Sequence, residues 1–417
     1  MARKKKTDKE NIQDFNKDLD DFLSSAGVDV KTLSEHEQVP FWTHSGSYAL
    51  NWIISDDMFK GVPSTKCILI SGEEAKGKSL LSDVWLGENI KDGGTSFKMD
   101  IEDATGGSFT SKIIGDEEIA AKIRLISPST SKAIKKADGD IKKLKQKELV
   151  ITIEKMTSII NKLIDWQLSK GADKLPSIYI VIDSVSNLTS DKEIEDIAAD
   201  KDKKDMTPQQ KMRAFFRAVN QKLKEANITV IGIAHLTANI GVMFGPSKVI
   251  SAKGTGFKYA SSLTINMMSS KEIKDPKTEV AVGIRMKLQT TKNRMAYKGR
   301  YTFLSMYFNK GIDPYGGISE LLTQYGLAKS SAKAKMDGSY NDTTKFTYVT
   351  EDGKELKWKY TELWKMMNSF KEEQRKSLLN EWNERLNEKY QEALNSMGIT
   401  EETLLEDDDP ITEEEDG

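Results

Sequence analysis

Residues 72–79 read Gly-Glu-Glu-Ala-Lys-Gly-Lys-Ser, and no other segment restricts the fold as strongly. Gly72 and Gly77, followed by Lys78 and Ser79, let the backbone curl until its N–H groups converge on a phosphate. Glu73, Glu74, Ala75 and Lys76 complete the turn. Lys78 would place its ammonium between a β- and a γ-phosphate, and the Ser79 hydroxyl would ligate Mg2+. Leu80 opens a segment carrying Leu81, Val84 and Trp85, which predicts a helix with its positive end toward the anion. The apolar run Cys67–Ser71 predicts a strand immediately before the loop.

Further short apolar runs follow at Thr95–Met99, Ile178–Ile182, Thr229–Ala234, Leu263–Met268 and Val282–Leu288. Between the second and third strands, Met156, Ile159, Ile160, Leu163 and Ile164 recur at helical spacing and predict a helix packed on the sheet. The alternation implies an α/β fold: a mostly parallel twisted sheet flanked by helices, spanning residues 43–327. Residues 1–42 read as an arm, with weak helical spacing at Phe15, Leu19, Phe22 and Leu23. Residues 328–400 read as a C-terminal region. It opens with a polar linker to about Lys354, and Lys357 to Ser396 read as helical, with Trp364, Met367, Phe370 and Leu378 on one face. Trp358, Trp364 and Trp382 read as core or interface residues.

Two of the predicted strands end in carboxylates. Ile178–Ile182 runs into Asp183, which in a nucleotide-binding sheet reaches the Mg2+ shell. Thr95–Met99 runs into Asp100 and Glu102, which alternation puts on one face. Glu102 is the candidate base for a water attacking the γ-phosphate. Thr229–Ala234 ends at His235, at the carboxyl edge where ligands bind.

Charge and composition narrow the partners. The chain holds 62 basic and 64 acidic residues, a formal charge of −2. Ten of the acids lie in residues 401–417, which contain no Lys or Arg, so residues 1–400 carry 62 basic against 54 acidic residues, or +8. A basic body fits a polyanionic partner, and the acidic, disordered-type tail fits a competitor for it. No run approaches the roughly 20 apolar residues of a membrane helix, and the start lacks the apolar core of a secretory signal. A single cysteine, Cys67, excludes an internal disulfide framework and a cysteine-rich zinc site, and fits a reducing, cytoplasmic setting.

An ordered set of segments resembles the RecA-family recombinases, most closely the UvsX-type recombinases of tailed phages. The set is Ser45-Gly-Ser47, the phosphate loop, Asp100-Ile-Glu102, Ile182 to Leu188, Ile240 to Gly245, Gly256 to Ser261, Thr291-Lys-Asn-Arg294 and Gly311 to Gly316. The resemblance implies a DNA-dependent ATPase that forms a helical filament on single-stranded DNA, pairs it with homologous duplex DNA and exchanges strands. ATP and Mg2+ would lie between subunits. Glu102 would be the catalytic base, His235 the γ-phosphate sensor, and Phe109 would stack on adenine. Lys292 and Arg294 would reach a neighbour's γ-phosphate.

Two segments match the family's DNA loops. The first, about Asp191 to Thr207, carries Lys203, Lys204 and Met206. The second, about Asn239 to Lys258, carries Ile240, Gly241, Met243, Phe244, Lys248, Lys253, Gly254 and Lys258, and its glycines predict flexibility. Single-strand-binding and mediator proteins are further implied partners, in host cytoplasm if the chain is of phage origin; no membrane is implied. The alternatives are a hexameric helicase on the same core, or a DNA-binding filament or mediator protein that does not hydrolyse ATP.

Overall fold

The computed structural model describes residues 8–27, 39–102, 106–127, 150–171, 175–198, 207–238, 248–275 and 277–396. Residues 1–40 and 41–417 form two compact units. In the first, the described element is helix α1 (Asp8–Ser25), with Phe15, Leu19 and Phe22 exposed.

The second unit opens with β1 (Trp42–Thr43), α2 (Tyr48–Ser55), β2 (Val62–Pro63) and β3 (Cys67–Gly72). Helix α3 (Lys78–Lys91), β4 (Thr95–Asp100), α4 (Gly107–Ile114), α5 (Glu117–Ala121) and β5 (Arg124–Ile126) follow. Next come α6 (Ile153–Leu168), β6 (Ile178–Asp183), α7 (Asp191–Ala198), α8 (Thr207–Glu225), β7 (Ile228–Ala238), β8 (Lys248–Ile250) and α9 (Ala252–Ala260). The sheet is completed by β9 (Leu263–Lys274), β10 (Ala281–Asn293), β11 (Tyr301–Tyr307) and β12 (Gly311–Ile312). Strands β9, β3, β7, β6, β4 and β5 are parallel neighbours in that order. Strands β10, β11 and β12 extend the sheet antiparallel beyond β9, and β8 pairs antiparallel with β7.

Strands β3, β6 and β7 are mostly apolar because both faces are covered. Ile68 and Ile70 of β3 point into a core shared with α2 and α3, while Cys67 and Leu69 point into a second core with α6, α8 and α9. Met156, Ile160 and Ile164 of α6 are buried in that second core, and Ile159 and Leu163 are half-buried at its margin, as their spacing predicts. Among the described residues, no helix is long and apolar enough to cross a membrane.

The C-terminal region corrects the sequence reading. The stretch read as a linker holds β13 (Ala328–Ser330) and β14 (Lys345–Val349). The segment read as helical from Lys357 begins inside β15 (Glu355–Lys359). The three strands form an antiparallel sheet. Helices follow as α10 (Ile318–Gln324) before this sheet, then α11 (Leu363–Ser369) and α12 (Glu372–Ser396) after it. Trp358 and Trp382 are buried in the same core as Trp52, and Trp364 packs half-buried at its margin. Asn387 of α12 accepts from Trp52 Nε1 at 2.8 Å and donates to the Asp56 carbonyl at 2.8 Å.

His44 follows β1 and gives the fold an acid sensitivity. Its Nδ1 accepts the Gly46 N–H at 3.0 Å, and its ring meets Tyr48 edge-on at 4.9 Å. Burial, with the Lys91 charge, lowers its pKa from 6.5 to about 4. The unfolded chain therefore takes the proton first, and stability falls as pH drops from 6.5 toward 4. The loss reaches about 2 kcal/mol by pH 5. His44→Asn keeps a side-chain acceptor for the Gly46 N–H and removes the titration. The variant's thermal midpoint should fall less than the wild type's between pH 7 and pH 5, by a few degrees. Parallel slopes would remove His44 from the account.

Candidate functional site

Strand register brings the chemistry to one edge of the sheet. Gly72 pairs with His235 across β3 and β7, and Asp100 pairs with Asp183 across β4 and β6. All four lie at the carboxyl ends of parallel strands, where ligands collect in open α/β sheets. A cleft of about 880 Å³ opens there, lined by Glu74 to Leu80 with Glu102, Asp183, Asn187, His235 and Phe308. A recess of about 200 Å³ adjoins it and shares Ser79, Leu80, Glu102 and Asp183.

The loop's shape is fixed from beneath. A Cβ at Gly77 would sit 2.6 Å from Met286 Sδ and 3.0 Å from Ile284 Cδ1, and its φ of +90° is left-handed. A Cβ at Gly72 would lie 3.0 Å from Met267 Cβ. Strands β9 and β10 therefore buttress the loop and demand glycine at both ends. Gly77 caps α3 without a side-chain hydrogen bond, so the helix N-terminus keeps its dipole and N–H donors for an anion.

Lys78 is buried, and its Nζ donates to the Glu73 carbonyl. Burial lowers its pKa below the ordinary lysine range, against the pull of Asp183, Glu102 and Glu74. Glu102 Oε1 accepts from Asn187 Nδ2 at 2.8 Å and meets His235 Nε2 at 3.0 Å. Burial would raise the Glu102 pKa, but the His235 contact and the Lys78 charge help to outweigh it and hold the carboxyl below its usual range. The His235 backbone N–H donates to Ser186 Oγ at 2.9 Å, which fixes this strand end against the Asp183 strand end. A basic group and an ionised carboxylate thus face the same cleft, with donors around both. Ser79 and Asp183 supply the hydroxyl and carboxylate oxygens that suit Mg2+.

Phe109, on α4, lines the recess and is 44% exposed. Phe308 stands 6.1 Å from it, centroid to centroid. Lys292 and Arg294 lie elsewhere. Lys292 Nζ donates to the Lys258 and Tyr259 carbonyls at 3.1 and 3.2 Å, and Arg294 N–H donates to the Ser262 carbonyl at 3.0 Å. Ser262 N–H donates to the Cys67 carbonyl at 2.8 Å, at the amino end of β3. Along the sheet, Lys292 stands level with Leu69 through its partner Thr264, roughly 10 Å of strand from Gly72, and Arg294 stands near Cys67, roughly 17 Å from it.

The expected DNA segments divide. Lys203, Lys204, Met206, Ile240, Gly241, Met243 and Phe244 lie outside the described residues. Asp191–Ala198, expected as loop, is helix α7. Lys253, Gly254 and Lys258 sit on helix α9, which corrects the expectation of a flexible glycine loop there. Gly254 is buried, and a Cβ on it would come within 2.9 Å of Ala234 Cβ; one on Gly256 would come within 2.7 Å of the Gln209 carbonyl. These two glycines serve close packing against β7 and α8. Lys258 is exposed, and Lys248 pairs with Glu73 of the phosphate loop.

Sequence reasoning missed several residues of the site. Asn187 lay inside a quoted segment, four residues past Asp183, but was given no role. Phe308 follows β11, a strand not predicted. Lys98 and Asp83 line the recess as a buried ion pair between β4 and α3.

Comparison with known proteins gives a consistent picture. The family described as the RecA N-terminal domain matches residues 171–313. "Protein RecA" of Malacoplasma penetrans is 28% identical over 271 residues, 65% of this chain and 71% of that protein. "Protein RecA" of Bacteroides thetaiotaomicron is 28% identical over 299 residues, 72% of this chain and 77% of that one. The "Recombination and repair protein" of Enterobacteria phage T4 is 33% identical over 150 residues, 36% of this chain and 37% of that protein.

Proposed function

The chain belongs to the RecA family of recombinases, and from that premise we propose that it is an ATP-dependent enzyme of DNA recombination and repair. It assembles as a helical filament on single-stranded DNA, pairs it with homologous duplex and exchanges strands. The observation that carries the reading is the convergence of Lys78, Ser79, Glu102, Asp183 and His235 on one cleft, with Lys292 and Arg294 outside it.

Lys78 and the loop N–H groups hold the β- and γ-phosphates of ATP. Ser79 and Asp183 would hold Mg2+, which when bound neutralises charge on the phosphate oxygens. Phe109 stacks on adenine, with Phe308 beside it. Glu102, held ionised, takes the proton from the attacking water as the γ-phosphate leaves ADP. Asn187 and His235 fix the direction of its carboxylate, and His235 senses the γ-phosphate. The Lys292 side chain turns to the Lys258 and Tyr259 carbonyls rather than to the cleft of its own subunit, and Arg294 stands at the amino end of β3. In a filament they complete a neighbour's site, which makes hydrolysis depend on assembly. Residues 1–42 contribute to the subunit contact, and residues 401–417 compete with DNA for the basic surface. Single-strand-binding and mediator proteins are the expected partners, in the cytoplasm.

The test is strand exchange between circular single-stranded DNA and homologous linear duplex, with ATP and Mg2+, beside electron micrographs of the same mixture. Joint molecules and striated filaments are expected; fork unwinding without exchange would favour the helicase reading. Arg294→Ala should bind ATP as the wild type does and lose the steep rise of specific ATPase activity with protein concentration. A variant that keeps that rise returns Arg294 to ordinary surface charge.

A further inference from the structure

Lys98 is a buried cation that the phosphate chemistry leaves unused. Alternation along β4 turns Ser96 and Lys98 toward α3, where Ser96 Oγ donates to the Leu86 carbonyl at 2.8 Å. Lys98 Nζ donates to Asp83 Oδ1 at 2.8 Å and lies 3.4 Å from Asp183 Oδ2. The side chains of Lys98 and Asp83 are each 4% exposed, and that of Asp183 11%. Thr110 Oγ1 donates to the other Asp83 oxygen at 3.4 Å, so Asp83 is held on both sides. Burial by itself would drive the ammonium toward neutrality. Asp83 at 2.8 Å and Asp183 at 3.4 Å supply the opposite charge that holds it in place.

A fixed ammonium beside Asp183 does two opposed things. It orients the carboxylate by holding one oxygen, and it cancels part of the negative charge that a divalent cation would need. Asp83 lies nearer the ammonium than Asp183 does and draws it away. We propose that Asp83 and Lys98 are a positioning pair for Asp183. Lys98 fixes the direction of its carboxylate, and Asp83 prevents Lys98 from neutralising it, so that the pair sets the affinity of the site for Mg2+. Neither residue touches the phosphates. The inference rests on the ATP-site reading above. A pair that merely ties α3 to β4 would affect stability alone.

Asp83→Asn keeps the side-chain shape and leaves Lys98 to Asp183. The readout is the Mg2+ concentration that half-saturates binding of a fluorescent ATP analogue, with direct Mn2+ binding followed by electron paramagnetic resonance. Both half-saturation points should rise roughly ten-fold, the scale of outer-shell effects on metal sites. Analogue affinity in excess Mg2+ should stay near the wild-type value, and Asp83→Glu should restore the cation dependence. If Asn at this position prevents folding, Asp83→Ser leaves room for water beside the ammonium and carries the same expectation. A folded neutral variant with wild-type half-saturation overturns the pairing and leaves the ATP site standing. A wild-type protein whose nucleotide binding ignores Mg2+ strikes the ATP-site reading itself.

Discussion

Glu102→Gln should lower ATP turnover by roughly a hundred-fold or more while nucleotide affinity stays within a few-fold of wild type. Glutamine keeps the shape and the oxygen that accepts from Asn187 Nδ2, so the local hydrogen bonding survives. It loses the negative charge and the capacity to take a proton from water. The pKa direction strengthens the expectation. The Glu102 carboxyl is held below its usual range, so at neutral pH essentially every wild-type site carries the base, and every mutant site lacks it. Binding and chemistry therefore separate cleanly, as they do when a group acts in the transition state rather than in the ground state. Single-turnover hydrolysis beside an equilibrium titration makes the distinction. Filaments on single-stranded DNA should also outlast those of the wild type, because release waits on hydrolysis. Unchanged turnover would pass the role of base to another group.

Much of the site was legible because its residues follow apolar runs. Gly72 to Ser79, Asp183 and His235 each lie directly beyond a strand that reads as buried, and the register then aligns them without further instruction. The rest depends on partners distant in sequence. A lysine in mid-strand reads as surface, and Lys98 is buried only because Asp83 meets it from α3. Gly254 and Gly256 read as flexible, yet their missing side chains let α9 close on β7 and α8. The β9 and β10 strands run well past their apolar portions. Residues such as Lys271, Glu272 and Lys274 continue the pairing where the ribbon is more exposed, so hydropathy alone stops too early. In the C-terminal region the period-two signal was present in Lys-Phe-Thr-Tyr-Val and Glu-Leu-Lys-Trp-Lys. Polar composition concealed it, although Phe346, Tyr348, Leu356 and Trp358 all face the core.

Lys78→Ala should weaken ATP binding by more than a hundred-fold and abolish ATP-dependent filaments. Loss of one partner from a buried, hydrogen-bonded charge pair costs about 2–5 kcal/mol, and about 3 kcal/mol already corresponds to that factor. The surroundings push the effect toward the upper end. Lys78 sits within the electrostatic reach of Asp183, Glu102 and Glu74, all of which line the cleft. Without the ammonium, those carboxylates face an incoming polyphosphate with their charge less compensated, so the variant loses an attraction and leaves a repulsion. The loop itself should survive, since its glycines are set by β9 and β10 rather than by the lysine. Circular dichroism and thermal unfolding close to wild type would establish that, and an ATP titration would measure the loss. Strand exchange should fall to background with it, because Lys292 and Arg294 of a neighbour would find no γ-phosphate to engage. Normal ATP-dependent filaments from a folded Lys78→Ala protein would remove the phosphate assignment from residues 72–79, and with it the reason for placing Glu102 beside an attacking water.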